Sequence, residues 1–383
     1  MDFEPTEEQK ILRQTLRDFA AAEILPVASS LEKEGRFPDQ IIRGLASLGI
    51  LGMTIPEEFG GVGFGAVSTS LVMEELAAAC ASTAVTVSVH NTASAGPIAR
   101  FGSMDQKKKY LPHMASGETI GGFALTEPSA GSDAAAIKTR AARRGDRFIL
   151  NGTKCWITNV HIGSVYVLMA VTDASLGSRG ISAFIVEPSF PGFAFGKDED
   201  KLGLRSSRTG DIVLTECEVP AENLLGEEGM GLRIALATLD SGRIGIAAQA
   251  IGIARAAYEA SIAYAKKREA FGAPIARLQA IQNKLADMAV QIDAARLLTQ
   301  RAASLADSGA RDYTREASMA KLYATEMGNR VCYEAIQVFG GYGYSKEYPV
   351  ERYYRDVRVT TLYEGTSEIQ RLVIARKLTS SLA

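Results

Sequence analysis

The sequence predicts an α+β chain in three parts. These are an N-terminal α-helical domain over residues 1–120, a middle antiparallel β domain over 121–226, and a C-terminal four-helix-bundle domain over 227–383. Apolar residues recur at helical spacing up to about residue 120 and again after Gly226, but between those limits they form short runs bounded by Gly, Ser and Asp. A chain of 383 residues is also longer than one core organises, at about 150 residues per domain.

Thr6-Glu7-Glu8-Gln9 has the composition of a helix start, with acids in the first turn. Ile11, Leu12, Leu16, Phe19 and Ala20 then repeat at helical spacing and are expected on one buried face. Ile41, Ile42, Leu45 and Leu48 make another helix, stopped by Gly49. The glycine-rich stretch Ile55–Gly65 lacks the preceding strand and the glycine spacing of a dinucleotide cradle, so it reads as a loop. A helix from Ser68 to Cys80 follows, and 82–99, small and apolar, is expected as a buried helix ending at Pro97. Strands are expected at 148–153, 165–171, 181–186 and 211–215, with no helical crossovers between them, hence antiparallel. Leu278, Ile281, Leu285, Met288, Ile292 and Ala295 form the seam of a long bundle helix, and another runs from Thr314 to Phe339, stopped by Gly340-Gly341.

Several function classes drop out. A net charge of −2 gives no surplus for nucleic acid, and Lys107-Lys108-Lys109 reads as a solvated helix face. Cys80, Cys155, Cys217 and Cys332 are far apart and read as buried free thiols; three scattered histidines make a metal site improbable. No apolar run reaches about 18 residues, so no membrane insertion is expected. The acidic start Met1–Glu8 has no signal-peptide pattern, so the expected location is cytoplasmic, or the mitochondrial matrix if a presequence has been removed.

Five motifs stand in order along the chain. They are Phe123-Ala124-Leu125-Thr126-Glu127-Pro128-Ser129-Ala130-Gly131-Ser132-Asp133; Trp156-Ile157-Thr158-Asn159; Arg268-Glu269-Ala270-Phe271-Gly272 with Gln279; Gln337-Val338-Phe339-Gly340-Gly341; and Tyr363-Glu364-Gly365-Thr366-Ser367-Glu368. Together they resemble the acyl-CoA dehydrogenase family over essentially the whole chain, closest to its short-chain, butyryl-type members. That resemblance implies the family fold, FAD as cofactor and FAD-dependent α,β-dehydrogenation of an acyl-CoA to the trans-2-enoyl-CoA. Phe123, Leu125, Thr126, Gly131, Ser132, Trp156, Ile157 and Thr158 are implied on the flavin side. Arg268, Phe271, Gln279, Gln337, Val338, Gly340 and Gly341 are implied at the FAD of a neighbouring subunit, within a homotetramer built as a dimer of dimers. Thr366, Ser367 and Glu368 complete the cofactor set. Electrons are implied to pass to an electron-transfer flavoprotein.

Removing an α-proton from a thioester needs a well-placed base of suitable basicity, and a carboxylate kept from water is more basic. Glu364, beside Tyr363 and Gly365, fits that task. Some family members carry the base just before the residue matching Arg243, and here that position is Gly242, so Glu364 is expected to be the base. The resemblance assigns its backbone N–H, with a hydroxyl of the FAD, to the thioester oxygen. It places Asp240, Arg243 and Ser132 against the acyl-CoA; Tyr363 and Gly365 join the substrate set. Gln249 is expected at the pocket floor, and Thr360 matches the same short-chain subgroup. Asn91–Ala95 is smaller than usual and is expected to widen the pocket toward branched or cyclic acyl groups. No arginine for a dicarboxylic substrate is seen near Ala84. The alternatives are an acyl-CoA oxidase using oxygen, a non-catalytic flavin- or CoA-binding protein, and a nicotinamide enzyme, the last lacking its fingerprint.

Overall fold

The computed structural model describes residues 5–310 and 312–379; the first four residues of the acidic N-terminus lie outside the described residues. Helix α1 (Glu7–Phe19) starts in a capping box, with the Thr6 hydroxyl accepting the Gln9 N–H and the Gln9 amide oxygen accepting the Thr6 N–H. Leu16 and Ala20 of its expected inner face are buried, but Ile11 is 66% exposed. Five residues from Leu16, it lies about 140° round the helix, at about 100° per residue. Helices α2 (Leu25–Glu34) and α3 (Asp39–Ser47) follow. Gly49 ends the latter in a left-handed conformation, φ 76°, leaving Leu48 exposed.

The glycine-rich loop is built for packing. A Cβ on Gly61 would meet the Ile55 carbonyl oxygen at 2.0 Å. The loop delivers the chain to α4 (Ala66–Ala79), whose first N–H groups, on Ala66 and Val67, donate to the Asp307 carboxylate. A distant side chain therefore fills the anion position at this helix start. The expected single helix at 82–99 is three pieces: α5 (Ala81–Ser88), a π-helical turn (Val89–Ala95) and α6 (Gly96–Phe101). Pro97 does not end it but lies in the first turn of α6, where its missing N–H costs nothing. Helix α7 (Met104–Ala115) closes the first part.

Eight strands make the middle part: β1 (Gly121–Ala124), β2 (Arg140–Arg144), β3 (Arg147–Thr158), β4 (Val165–Val171), β5 (Ile181–Val186), β6 (Phe193–Asp198), β7 (Thr209–Pro220) and β8 (Leu224–Leu225). They run in the order β6-β7-β3-β2-β4-β5-β8, with β1 beside β4. The sheet is mixed, not purely antiparallel. β1 pairs parallel with β4, and β2 touches it through one parallel bridge. The β2–β3 hairpin is inserted between them, so β4 returns in the direction of β1.

Helix α8 (Gly231–Lys267) leaves the sheet, its first residue packed on the Ser182 backbone. A short hairpin, β9 (Glu269–Ala270) and β10 (Ala273–Pro274), leads to α9 (Gln279–Asp307), α10 (Thr314–Phe339), α11 (Val350–Val357) and α12 (Ser367–Thr379). Helices α8, α9 and α10 pack on one another, α12 packs on α10, and α4 inserts against α8 and α9. One apolar core therefore runs through the N-terminal helices and the bundle, while two further cores cover the faces of the sheet. All four cysteines are free and buried. Among the described residues, no helix is long and apolar enough to cross a membrane.

Replacing Asp307 with Ala leaves the first N–H groups of α4 without their acceptor. A loss of about 1 kcal/mol in urea unfolding is expected, as for other caps.

Candidate functional site

Two predicted constellations meet on the sheet. The Cys155 N–H donates to the Thr126 carbonyl at 3.0 Å, and a Cβ on Gly122 would lie 3.0 Å from the Thr158 carbonyl oxygen. The segments around 122–126 and 155–158 thus form one surface. Trp156 is held out from it. Between the pairs Lys154–Ile212 and Ile157–Gly210, two residues of β3 oppose one of β7, a bulge that puts Trp156 at φ 60°. Its ring is 57% exposed, so it is not the core ring that a lone tryptophan suggests. The loop carrying Gly131 and Ser132 is tied down beneath. Glu127 accepts the backbone N–H groups of Lys138 and Thr139 and pairs with buried Lys154 at 2.7 Å. Lys154 also donates to the Leu125 carbonyl. Sequence reasoning missed this pair; in the polar stretch Asn151-Gly152-Thr153-Lys154 nothing marked the lysine as buried.

The second half of the site is in the helical part. Tyr363, Glu364 and Gly365 form the turn between α11 and α12, with Glu364 at φ 52° and Gly365 at φ 91°. A non-glycine residue there is strained and must be held by its surroundings. Gln370 does so, its amide donating to the carbonyls of Glu364 and Gly365 at 3.2 and 2.8 Å. The Thr366 hydroxyl accepts the Ile369 N–H, while the Ser367 hydroxyl is buried without a partner and Glu368 is exposed.

The Glu364 side chain points at α8. A Cβ on Gly242 would stand 2.0 Å from Glu364 Oε2, so only glycine admits the carboxylate. Although the residue as a whole is part-exposed, Oε2 is buried with no hydrogen-bond partner. Burial pushes this carboxyl up to about 7, against the opposing pull of Lys321 and Arg243. Arg243 is buried, paired with Asp240 at 2.7 Å and within 3.3 Å of the Ser318 hydroxyl; Asp240 also accepts from Thr314. With Arg243 buried and Asp240 part-buried, this is not an exposed surface ion pair. Further along the same face of α8, Gln249 is fully buried. Its amide donates to the Ala81 carbonyl at 3.2 Å and accepts the Tyr363 hydroxyl at 2.6 Å. Thr360 is buried and bonded to the Val357 carbonyl.

A cleft of about 130 Å³ opens between 91–101 and the α8 residues Ala237, Thr238 and Ser241, one residue short of Gly242. Of the small-residue run, Asn91 and Thr92 border it, and Asn91 is occupied with the Ile50 and Val87 carbonyls. Ser94 instead packs on β1, where a Cβ on Gly121 would meet its hydroxyl at 2.2 Å. The small side chains there let the π-helical turn approach the sheet.

The third group is remote. Arg268 ends α8 and stacks over Tyr342 at 5.6 Å; with Phe339 they border a concavity of about 510 Å³. Phe271 is 92% exposed at φ 53°, Gln337 bonds Tyr333, and Gly340 is left-handed. Val338 is buried beneath, and Gln279 begins α9. Along α8, Arg268 is about 39 Å from Gly242 at 1.5 Å per residue. The structure therefore does not bring this group to Glu364 within one chain.

The site has features that suit a large planar cofactor. A bulge presents an indole with hydroxyl-bearing Thr126 and Thr158 nearby, and buried hydroxyl and amide oxygens of Ser367 and Asn159 lack partners. Changing Gly242 to Ala would normally stabilise a helix interior by about 0.5–1 kcal/mol. Here it is expected to displace the Glu364 carboxylate, lowering kcat at least tenfold with no loss of urea stability.

The family models of the acyl-CoA dehydrogenase N-terminal, middle and C-terminal domains match residues 6–118, 122–217 and 229–379. The chain is 51% identical over 375 residues to the mitochondrial short-chain specific acyl-CoA dehydrogenase of Rattus norvegicus, covering 98% of this chain and 91% of that one. It superposes on butyryl-CoA dehydrogenase from Megasphaera elsdenii with a TM-score of 0.97 and 44% identity, over 99% of this chain and 100% of the other. It also matches an acyl-CoA dehydrogenase from Bacillus anthracis complexed with FAD, at a TM-score of 0.93 and 36% identity, over 99% of this chain and 68% of that one.

Proposed function

The chain belongs to the acyl-CoA dehydrogenase family, and we propose that it dehydrogenates short-chain acyl-CoA with Glu364 as the base that removes the α-proton. FAD-dependent acyl-CoA dehydrogenation is the activity of its close relatives, and FAD is the cofactor. When bound, FAD supplies a two-electron acceptor for the β-hydrogen. The observation that carries the reading is the Glu364 carboxylate itself, pushed up to about 7 and seated where α8 has no Cβ. A base of that affinity ionises near neutral pH and still holds a proton well. Among the described residues the Glu364 backbone N–H donates to no acceptor, which leaves it free for a thioester oxygen.

Chain length is set by α8. Gln249, held by the Ala81 carbonyl and the Tyr363 hydroxyl, stands about 10 Å along α8 from Gly242 at 1.5 Å per residue and is assigned to the pocket floor. That depth suits a short acyl chain. Asp240 and Arg243 are assigned to the CoA portion, with Ser132 on the sheet side. Phe123, Leu125, Thr126, Trp156, Ile157 and Thr158 are assigned to the flavin. Arg268 lies about 39 Å along α8 from Gly242, and we assign Arg268, Phe271, Gln279 and Gln337–Gly341 to the FAD of another subunit, as the family resemblance implies. A homotetramer is the assembly implied. Residues 1–120, 121–226 and 227–383 then divide into a helical cover, a flavin-side sheet, and a bundle with base and subunit contacts. An electron-transfer flavoprotein is the proposed acceptor; rapid air reoxidation of the reduced flavin would instead favour the oxidase reading.

Anaerobic addition of an acyl-CoA series is expected to bleach the flavin most with butyryl-CoA, and a colourless protein unable to take up FAD would overturn the assignment. Glu364→Gln should keep FAD and acyl-CoA binding but lose turnover by roughly 10²–10⁴-fold or more. In the wild type, kcat/KM should climb with pH and level off above about 7, where the carboxylate is ionised. Gln249→Ala should raise kcat/KM for octanoyl-CoA relative to butyryl-CoA by roughly tenfold or more, since seating even one extra methylene is worth about 1–3 kcal/mol.

A further inference from the structure

Helix α10 turns a face of small residues toward α8 and α12: Ala317, Ala320, Ala324 and Gly328 are all buried. Lys321 lies within that face and is completely buried. Burying an ammonium is costly unless something nearby uses its charge. Among the described residues its one hydrogen-bond acceptor is the Gly365 carbonyl, at 2.6 Å. That carbonyl belongs to the left-handed turn carrying Glu364 and also accepts the Gln370 amide. One turn back on α10, the Ser318 hydroxyl steadies Arg243.

The charges facing this turn are few. From α10 comes Lys321 and from α8 comes Arg243, which Asp240 largely occupies at 2.7 Å. Lys321 in turn feels Glu364, Arg243, and the carboxylates of Glu326 on α10 and Glu368 on α12. Glu368 is exposed and Glu326 is half-exposed, reaching toward Arg371, so water screens both. The Glu364 carboxylate, with Oε2 pressed against α8, has no hydrogen bond to hold its charge. The Lys321 ammonium is the cation not already committed to a carboxylate.

We propose that Lys321 is a positioning residue for the reaction: its ammonium pins the Gly365 carbonyl, fixing the strained turn, and favours the ionised form of the adjoining Glu364 carboxylate, whose Oε2 is buried against α8. The inference rests on Glu364 being the base. Burial pulls Lys321 down to about 8, with the Glu364 charge resisting, so the ammonium is present across the neutral range. A nearby cation favours the ionised form of a carboxyl; removing it raises the pH at which the carboxyl ionises.

The test is the pH dependence of kcat/KM for butyryl-CoA in Lys321→Met, Lys321→Gln and Lys321→Arg holoenzymes, with FAD content measured in each. In Lys321→Met the acid limb should move up by about one pH unit or more, the scale of an adjacent opposite charge. Activity at pH 6 should then fall about tenfold further than at pH 9. Lys321→Gln keeps a donor for the Gly365 carbonyl without the charge, and should show the same displacement even if the Met variant fails to fold. Lys321→Arg should hold the limb near its wild-type position while kcat falls, because the fork cannot reproduce the bond to Gly365. A limb that stays in place in the Met or Gln variant, with kcat reduced equally at every pH, overturns the proposal. Loss of activity at all pH values in Glu364→Gln, alongside recovery at high pH in Lys321→Gln, separates the two assignments. Persistent turnover in Glu364→Gln would refute the base and leave the Lys321 profile without a meaning.

Discussion

The contact on which the site depends is between a carboxylate and a missing side chain. Glu364 Oε2 occupies the volume that a Cβ on Gly242 would take. That one absence admits an acidic group into the bundle interior, where desolvation raises its proton affinity without a hydrogen bond to lower it again. The turn carrying it is held in a strained conformation by Gln370 and by the buried Lys321. Helix propensity is sacrificed at 242, and backbone strain is accepted at 364, to place one group.

The length of α8 organises the rest. Its first residue rests on the sheet, its middle faces Glu364 and carries Gln249, and its end carries Arg268 away from both. A straight helix of this length cannot bring its two ends to one ligand. The same element therefore carries Gly242 and Gln249 beside the Tyr363–Glu364 turn and offers a basic, aromatic surface at a distance, bordered by Phe339 and Tyr342.

Much of this was legible in the residues. The strands at 165–171 and 181–186 and the helix at 314–339 were readable because their apolar runs end at clear turn signals and glycines. Other elements were not. Pro97 looked like a stop, yet the first turn of a new helix accepts proline equally well. Parallel pairing of β1 with β4 depends on a hairpin inserted between them, and local periodicity is silent on that. Trp156 could have been a core ring; a bulge, which has no strong sequence signature, turned it outward. Lys321 was visible as a cation between Ala320 and Leu322, but nothing local said what it would hold.

The sequence by itself determined the order of helical and strand segments, the motif carrying Glu364, and the glycine at 242, because all of these are properties of neighbouring residues. Only the tertiary structure decided that this glycine lies against that carboxylate, that Arg243 is buried with Asp240 as its partner, and that Gln249 is clamped between Ala81 and Tyr363. It also decided that Lys321 stands beneath the turn. These are contacts between residues dozens to more than a hundred positions apart. Their energies come from burial and from charge in a water-poor interior, and both exist only once the chain has closed around them.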